Sequence, residues 1–391
     1  MLPFENIRVA DFTTMLAGAG ICTGLSDMGA DVIKVEPPDG DPWRMIAGSF
    51  MGTNRGKRAI VIDLRKDEGR QIACKLLETS DMLVENSRPG TMDKIGLDYE
   101  SVKKIKPEII YISAPAYGSK GPTAKRPGYD PLLQALSGQM EGQGGAGEVP
   151  VFHKIALNDE VGPVLGAFGA ALALFDKLKS GKGQYVETSL LNCAVALQSG
   201  RFIKGKGIRQ KNIGKPDIKG LNATNRLYQA MDGLWFYLLC TKEEHWQALC
   251  QAIGKKGLTA DPRFETAAAR KKNDRALTKI LTESFFTTLA AAWVPILQMA
   301  GVPVAMSANL EDLFKDPHYL ETNLFVFQDH PLWGRVQLLN VTSEFSETPG
   351  AVQRYAPLLG EHTDEVLQEL GFRKEQIEDF KARKLVVQAA K

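Results

Sequence analysis

Short apolar runs alternate with longer stretches in which apolar residues recur every three or four positions, through about the first 120 residues. Ile7–Phe12 reads as a strand. The small-residue segment AGAGICTGLSDMG follows as a helix, and DVIKVEPP returns as a strand that ends at Glu36. Further strands are predicted at Ala59–Ile62, Met82–Glu85 and Ile109–Ser113, with helices at Glu68–Glu78 and Tyr99–Ile105 between them. Strand and helix in strict alternation predict a parallel α/β sheet. Gly18 and Gly20, followed by an acidic strand end, match part of a dinucleotide fingerprint. However, Thr13–Ala17 separates the strand from the glycines, and Thr23 holds the third glycine position. A close-packed βαβ turn fits better than a nicotinamide site.

The pattern changes after Gly121. RPGYDPLLQALSG leads into the glycine-rich GQGGAG and then KIALNDE. The apolar run VGPVLGAFGAALALFDKL follows, closed by KSGKGQ. Density in Ala, Leu and Phe makes this run a helix, ended by Gly181 and Gly183 after two lysines. Its uncharged part, Gly162 to Phe175, is fourteen residues long. That is too short to span a bilayer and predicts a helix buried in a core. Asn158 and Asp159 fall at its start, where open N–H groups and the helix dipole favour an ionised carboxylate. Asp159 is therefore either an N-cap or a nucleophile.

Arg201–Gly220 carries seven basic residues, one acid and four glycines without periodicity, and reads as an exposed connector. Beyond it, Arg226–Leu239 predicts a hairpin turning at Asp232-Gly233. Helices are predicted at Glu243–Ile253, Asn273–Phe285 and Leu289–Met299, and an amphipathic helix at Thr363–Leu370. The expected domains are a large α/β domain at 1–205, a linker at 206–224, a smaller α+β domain at 225–325, and a C-terminal segment at 326–391 returning to the first.

Composition narrows the class. A 391-residue chain with 44% hydrophobic and 24% charged residues can bury a large core. Its net charge of +2 gives no nucleic-acid signature. Five scattered cysteines, none in a CxxC pair, predict reduced thiols in a cytoplasmic enzyme without a disulfide frame or metal site. MLPFENIRVADF lacks the form of a signal peptide, and no membrane association is expected.

The motifs, taken in order, resemble those of the family III CoA-transferases. They include LAG at Leu16–Gly18, GADVIKVEPP at Gly29–Pro38, NRGKRAIVIDL at Asn54–Leu64, VENSRPG at Val84–Gly90 and GLDYE at Gly96–Glu100. RPGYD, QALSG, the aspartate of ALND and SGKGQ follow, then DPRF, AGVPV, TPG and LLGEHTDEVLQELG. The resemblance implies a Rossmann-like large domain and an interlocked homodimer. It implies acyl-CoA and a carboxylic acid as substrates, coenzyme A as the carried group, and Asp159 as nucleophile. It places the CoA nucleotide on Ile62, Asp63, Leu64 and Arg65 and on Asn86, Ser87 and Arg88, with a basic residue at Lys94. It places substrate contacts at Leu16 and Tyr129.

Two departures matter. A basic residue found after the second strand in some members is Pro37 here, which leaves Arg44, Arg55 and Lys57 as nearby phosphate candidates. The short glycine run with which the formyl-CoA transferase branch covers its site is missing, leaving GQGGAG at Gly142–Gly147 as a candidate source of N–H donors or as a plain loop. The racemase branch of the same fold puts a histidine where this chain has Tyr129. Tyrosine's high intrinsic pKa disfavours α-proton exchange there, so transferase ranks above 2-methylacyl-CoA racemase.

Overall fold

In the computed structural model, which describes residues 1–145, 147–208 and 218–389, the alternation resolves into six strands in parallel register. They are β1 (Arg8–Asp11), β2 (Asp31–Glu36), β3 (Arg58–Ile62), β4 (Met82–Glu85), β5 (Ile110–Ser113) and β6 (Tyr185–Glu187). A C-terminal strand, Val386–Val387, adds antiparallel to β3, and the sheet runs from it through β3, β2, β1, β4 and β5 to β6. The connecting helices are α1 (Met15–Asp27), α2 (Ala47–Asn54), α3 (Asp67–Glu78), α4 (Thr91–Lys94) and α5 (Tyr99–Ile105). Then come α6 (Asp130–Leu136), α7 (Gln139–Gly144), α8 (Leu157–Ser180) and α9 (Leu190–Ala196).

The strands read as nearly continuous apolar runs because both faces of the sheet are covered. Successive residues point to opposite faces. Val9, Val32, Met82, Val84, Ile110 and Ile112 meet Ile21, Leu25, Ala170 and Leu174 of α1 and α8. Ala10, Ile33, Ile60, Leu83 and Tyr111 meet Ile72, Leu76 and Leu77 of α3 on the other face. Val366 and Leu367, from the helix Thr363–Glu369, join that second face. The predicted amphipathic tail helix thus has a defined place against the sheet.

Helices α1 and α8 run in parallel because small residues let them touch. A side chain at Gly20 would strike Pro163 Cγ at 2.5 Å, one at Gly166 would overlap Ile21, and one at Gly162 would lie 3.4 Å from Ala17 Cβ. Of the two glycines that resembled a dinucleotide motif, Gly20 belongs to the contact surface of this helix pair.

The long apolar helix departs from expectation. It runs from Leu157 to Ser180, close to the expected ends, but its 24 residues are long and apolar enough to cross a membrane, which its fourteen uncharged residues alone are not. Nor is it wholly buried. Gly162, Gly166, Ala170, Ala173 and Leu174 face inward, while Val164, Phe168, Leu172 and Phe175 are each more than half exposed. The sequence shows apolar residues on both sides of this helix, which hides which side the core takes.

The chain forms two compact units. The first holds 1–140, the described residues of 152–208 and those from His318 onward; the second holds the described residues of 141–151 and 218–317. In the second, strands β7 (Gly220–Asn222), β8 (Asn225–Gln229), β9 (Trp235–Leu239) and β10 (Val304–Met306) form an antiparallel sheet in the order β10-β9-β8-β7. The predicted hairpin turns at Gly233, whose φ of +81° suits glycine. The helices Glu243–Ala252, Asp274–Phe285 and Ala290–Met299 bring Trp246, Leu281, Phe285 and Leu297 into its core. Residues 220–222 of the expected linker form β7, and residues 209–217 lie outside the described residues.

Candidate active site

The start of α8 is not capped as the sequence suggested. Ala156 holds the N-cap position and Asp159 is the third helical residue. The capping carboxylate is Asp130, at the first turn of α6 and nearly fully buried. Its Oδ2 accepts the N–H groups of Asn158 at 2.7 Å and Asp159 at 3.2 Å. Its Oδ1 accepts the side-chain amide of Gln134. Gln134 also holds the segment leading into α8: its amide donates to the His153 carbonyl at 3.1 Å, and its Oε1 accepts the His153 N–H at 3.1 Å. A second clasp pairs the buried amides of Gln139 and Asn158 in both directions, at 3.0 and 3.1 Å. RPGYD, QALSG and ALND are therefore pieces of one polar assembly.

Asp159 is what that assembly leaves over. Among the described residues its carboxyl group has no hydrogen-bond or ion-pair partner. Burial pushes its pKa up to about 7, with the charges of Asp130 and Glu160 adding to the shift. Glu160 is raised by the same causes, burial and then Asp130. The ionised carboxylate expected from the helix dipole is thus overruled by burial and like charge. Pro163, four residues on, has no N–H to give the Asp159 carbonyl, which opens the first turn further.

The start of α1 lies alongside, since Ala17 packs on Gly162, one turn beyond Asp159. Sheet order reverses between β1 and β4, and the loops leaving those two strands border the crevice where open α/β sheets take ligands. Leu16 is buried at the head of α1. Thr14, its N-cap, makes no side-chain capping bond, and no hydrogen bond engages the Leu16 or Ala17 N–H. Met15 sits at φ +62°, in the left-handed region. These open N–H groups are donors of the kind that GQGGAG, read either as a donor source or as a plain loop, was a candidate to offer. Gly142–Gly144 instead end α7, and Ala146 lies outside the described residues.

Beneath this turn is a dry ionic cluster. Lys57 Nζ meets Asp11 Oδ2 at 2.8 Å and also reaches the Ala19 carbonyl and Asn54; Lys34 Nζ meets Asp41 Oδ2 at 2.9 Å and the Thr13 carbonyl at 3.0 Å. All four charged side chains are inaccessible to solvent. Burial works to raise Asp11, but Lys57 and Lys34 outweigh it and hold the carboxyl below its ordinary value.

The other expected CoA-binding residues lie at the same edge of the sheet, the C-terminal ends of β3 and β4. Ile62 is fully buried and pairs with Val386 of the C-terminal strand, and Leu64 is partly buried against the core. Arg65 is exposed but held by Asp63, at 2.7 and 3.1 Å. The Ser87 N–H donates to Glu85 at 2.7 Å. Ser87 and Arg88 line a cavity of about 220 Å³ with Tyr99, Tyr111 and Tyr185. Arg88 and Lys94 are exposed cations whose side chains make no hydrogen bond or ion pair among the described residues. The Asn86 amide is turned to the Thr14 backbone. Tyr129 is 62% exposed, just before α6.

The three substitute phosphate candidates are engaged elsewhere. Arg44 grips Glu36 through two nitrogens, at 2.6 and 2.8 Å. Arg55 grips Asp27, and Lys57 belongs to the dry cluster. Partners close in space but distant in sequence decide this, which is why the run NRGK misleads. Asp130, Gln134 and Gln139 were missed as site residues for the same reason. The only local hint was a carboxylate four residues before a glutamine.

A parallel α/β sheet with a half-buried, unbonded carboxylate at a helix start beside the switch-point crevice defines an enzyme suited to acyl transfer. The family model for CoA-transferase family III matches residues 4–363, and the chain belongs to that family. It is 31% identical over 379 residues to human succinyl-CoA:glutarate CoA-transferase, covering 94% of this chain and 86% of that one. It is 33% identical to acetyl-CoA:oxalate CoA-transferase of Acetobacter aceti, covering 83% and 85%. Among solved structures, a CAIB/BAIF family protein from Brucella suis superposes with a TM-score of 0.85 at 30% identity, covering 94% of this chain and 99% of that one.

Proposed function

We propose that the protein moves CoA from an acyl-CoA thioester to a carboxylic acid with Asp159 as covalent carrier. The ionised carboxylate attacks the thioester carbonyl, the C–S bond breaks, and a mixed anhydride and CoA thiolate result. The thiolate attacks the Asp159 carbonyl of the anhydride, releasing the donor acid and leaving an aspartyl-CoA thioester. The acceptor carboxylate then attacks that thioester to give a new anhydride. CoA thiolate attacks the acceptor's acyl carbon, and Asp159 is restored. The observation that carries this reading is the Asp159 carboxyl, left without a partner while Asp130 serves the neighbouring N–H groups. A carboxyl with pKa near 7 is half ionised at neutral pH and more basic than an ordinary aspartate.

Leu16 and Tyr129 border the acyl side, while Arg65, Arg88 and Lys94 are the cations offered to CoA phosphates. The backbone of Ile62–Leu64 and of Asn86–Ser87 lines the path between them. Both named relatives take a dicarboxylic acid as acceptor, and we extend that class to this chain. The exposed stripe Val164, Phe168, Leu172 and Phe175 on α8 is an apolar face for a second copy, in keeping with the interlocked homodimer of the family.

The test is to mix enzyme with succinyl-CoA, add hydroxylamine, digest, and search by mass spectrometry for a modified carboxyl. A donor-dependent adduct on Asp159 is expected. Label on Glu160 instead, or CoA transfer without label on any carboxylate, overturns the assignment.

A further inference from the structure

Thr13, Thr14 and Met15, where the chain passes from β1 into α1, have almost every backbone polar group held from outside. Thr13 N–H donates to Asp11 Oδ1 at 2.9 Å, and the Thr13 carbonyl accepts Lys34 Nζ. Met15 N–H donates to Asp41 Oδ1 at 3.2 Å. Between them, Thr14 is gripped by one side chain from the far side of the crevice. Asn86 Oδ1 accepts the Thr14 N–H at 2.9 Å, and Asn86 Nδ2 donates to the Thr14 carbonyl at 2.8 Å. Both ends of the amide are spent on the backbone of one residue, as in a strand pair. This grip joins the loops after β1 and β4, the two that the sheet order parts.

A second observation shows that the sequence makes room for the contact. A side chain at Gly18 would put its Cβ 2.8 Å from Asn86 Cγ and 2.7 Å from Thr13 Cβ. A methyl group there cannot coexist with the amide in this position. Met15, next to the gripped residue, keeps a left-handed φ that is unfavourable for any side chain with a Cβ, so surrounding contacts must maintain it. Ala17, two residues on, packs on Gly162 of Asp159's helix, and Leu16 between them is buried.

We propose that Asn86 is a positioning residue whose amide latches the head of α1 across the crevice and so fixes the Leu16–Ala17 turn against the helix that carries Asp159, with Gly18 as the space the latch requires. CoA is left to the backbone of the 86–88 segment and to the free cations. The proposal rests on Asp159 being the acyl carrier. It concerns only how the neighbouring helix is aimed, and a displacement of about 1 Å at such a place costs on the order of 10²-fold in rate.

The experiment compares wild type with Asn86→Ala, Asn86→Asp, Gly18→Ala and the Gly18→Ala/Asn86→Ala pair. CoA affinity is read by calorimetry, and the rate of Asp159 labelling by saturating succinyl-CoA plus hydroxylamine is read by mass spectrometry. Each single variant is expected to slow labelling by roughly 30- to 100-fold while the Kd for CoA moves less than about threefold. The pair should be no slower than either single change, because both break one contact. Asn86→Asp keeps volume and the bond to Thr14 N–H but turns an oxygen on the Thr14 carbonyl. It should fold and still be slow, so it carries the test if a truncation does not fold. A Kd at least tenfold weaker with labelling unchanged at saturation would make Asn86 a nucleotide contact. Wild-type labelling rates in the variants, or additive losses in the pair, would also overturn the latch. If wild type itself shows no label on Asp159, the carrier assignment falls, a different failure.

Discussion

Two helices begin side by side in this protein, and their charges are handled in opposite ways. At the head of α1 every buried charge has a counter-charge: Asp11 with Lys57, and Asp41 with Lys34. At the head of α8 three carboxylates, Asp130, Asp159 and Glu160, lie together, and among the described residues no cation is paired with any of them. The first arrangement lowers the pKa of Asp11, and the second lifts that of Asp159 to about 7. Buried ion pairs stiffen a scaffold, whereas an uncompensated carboxylate holds free energy that a covalent bond to an acyl group releases. The contrast separates the part that aims from the part that reacts.

The contrast breaks most sharply at Asp159. Asp159→Asn should lower turnover by at least roughly 10³, about 4 kcal/mol of barrier. The same change should stabilise the protein at alkaline pH. The folded pKa lies above the ordinary carboxylate value of 3.8, so the folded state holds more protons between about pH 4 and 7. Wild-type stability attributable to this group therefore falls as pH rises through that window, and the asparagine variant escapes the loss. Thermal melts should coincide near pH 4 and favour the variant at pH 8. A variant less stable at both pH values would mean that Asp159 supports the helix instead of burdening it.

On the α1 side the expected loss is in stability. Lys57→Ala leaves Asp11 buried without its nearest counter-charge, which should cost about 3 kcal/mol or more. Denaturant unfolding measures it. A loss under about 1 kcal/mol would show that Lys34 alone compensates Asp11.

Asp130 joins the two halves of the contrast, being both cap and like charge. Asp130→Asn keeps an oxygen toward the Asn158 and Asp159 N–H groups but removes the negative charge. The rising limb of the labelling rate against pH, set near 7 by Asp159, should move to lower pH, while burial, the larger cause, keeps it above the ordinary range. Loss of capping strength should cost about 1 kcal/mol. An unmoved limb would assign the whole shift to burial.

How much of this was legible in the sequence depended on range. The strands, the βαβ order and the small residues of α1 could be read because periodicity and composition are local properties. Asp159 stood out because it precedes a long apolar helix. Its cap could not be read, since Asp130 reaches across 29 positions, and neither could the Asn86 grip on Thr14, which spans 72. The basic residues erred most. Arg44, Arg55 and Lys57 look like phosphate ligands in a list of charges, and each is consumed by a carboxylate the list does not place beside it. The outward face of α8 was likewise hidden, because its apolar residues match those of a core.

The smallest effect concerns Arg65, where a paired charge is still able to work. Its guanidinium is exposed and rests on Asp63, a partner only two residues away. An exposed pair of that kind contributes little to stability, at most about 1 kcal/mol. A phosphate arriving at Arg65 would compete with Asp63 or share the guanidinium's remaining donors, so its bond to the arginine is partly discounted in advance. Arg65→Ala should therefore weaken CoA by about fivefold, near 1 kcal/mol, with turnover at saturating donor unchanged. Asp63→Asn frees the same arginine and should tighten CoA slightly, because the competing carboxylate charge is gone. Calorimetry on the two variants tests the pair together. Equal CoA affinity in both, matching wild type, would place the phosphates with Arg88 and Lys94 and leave Arg65 as a surface ion pair.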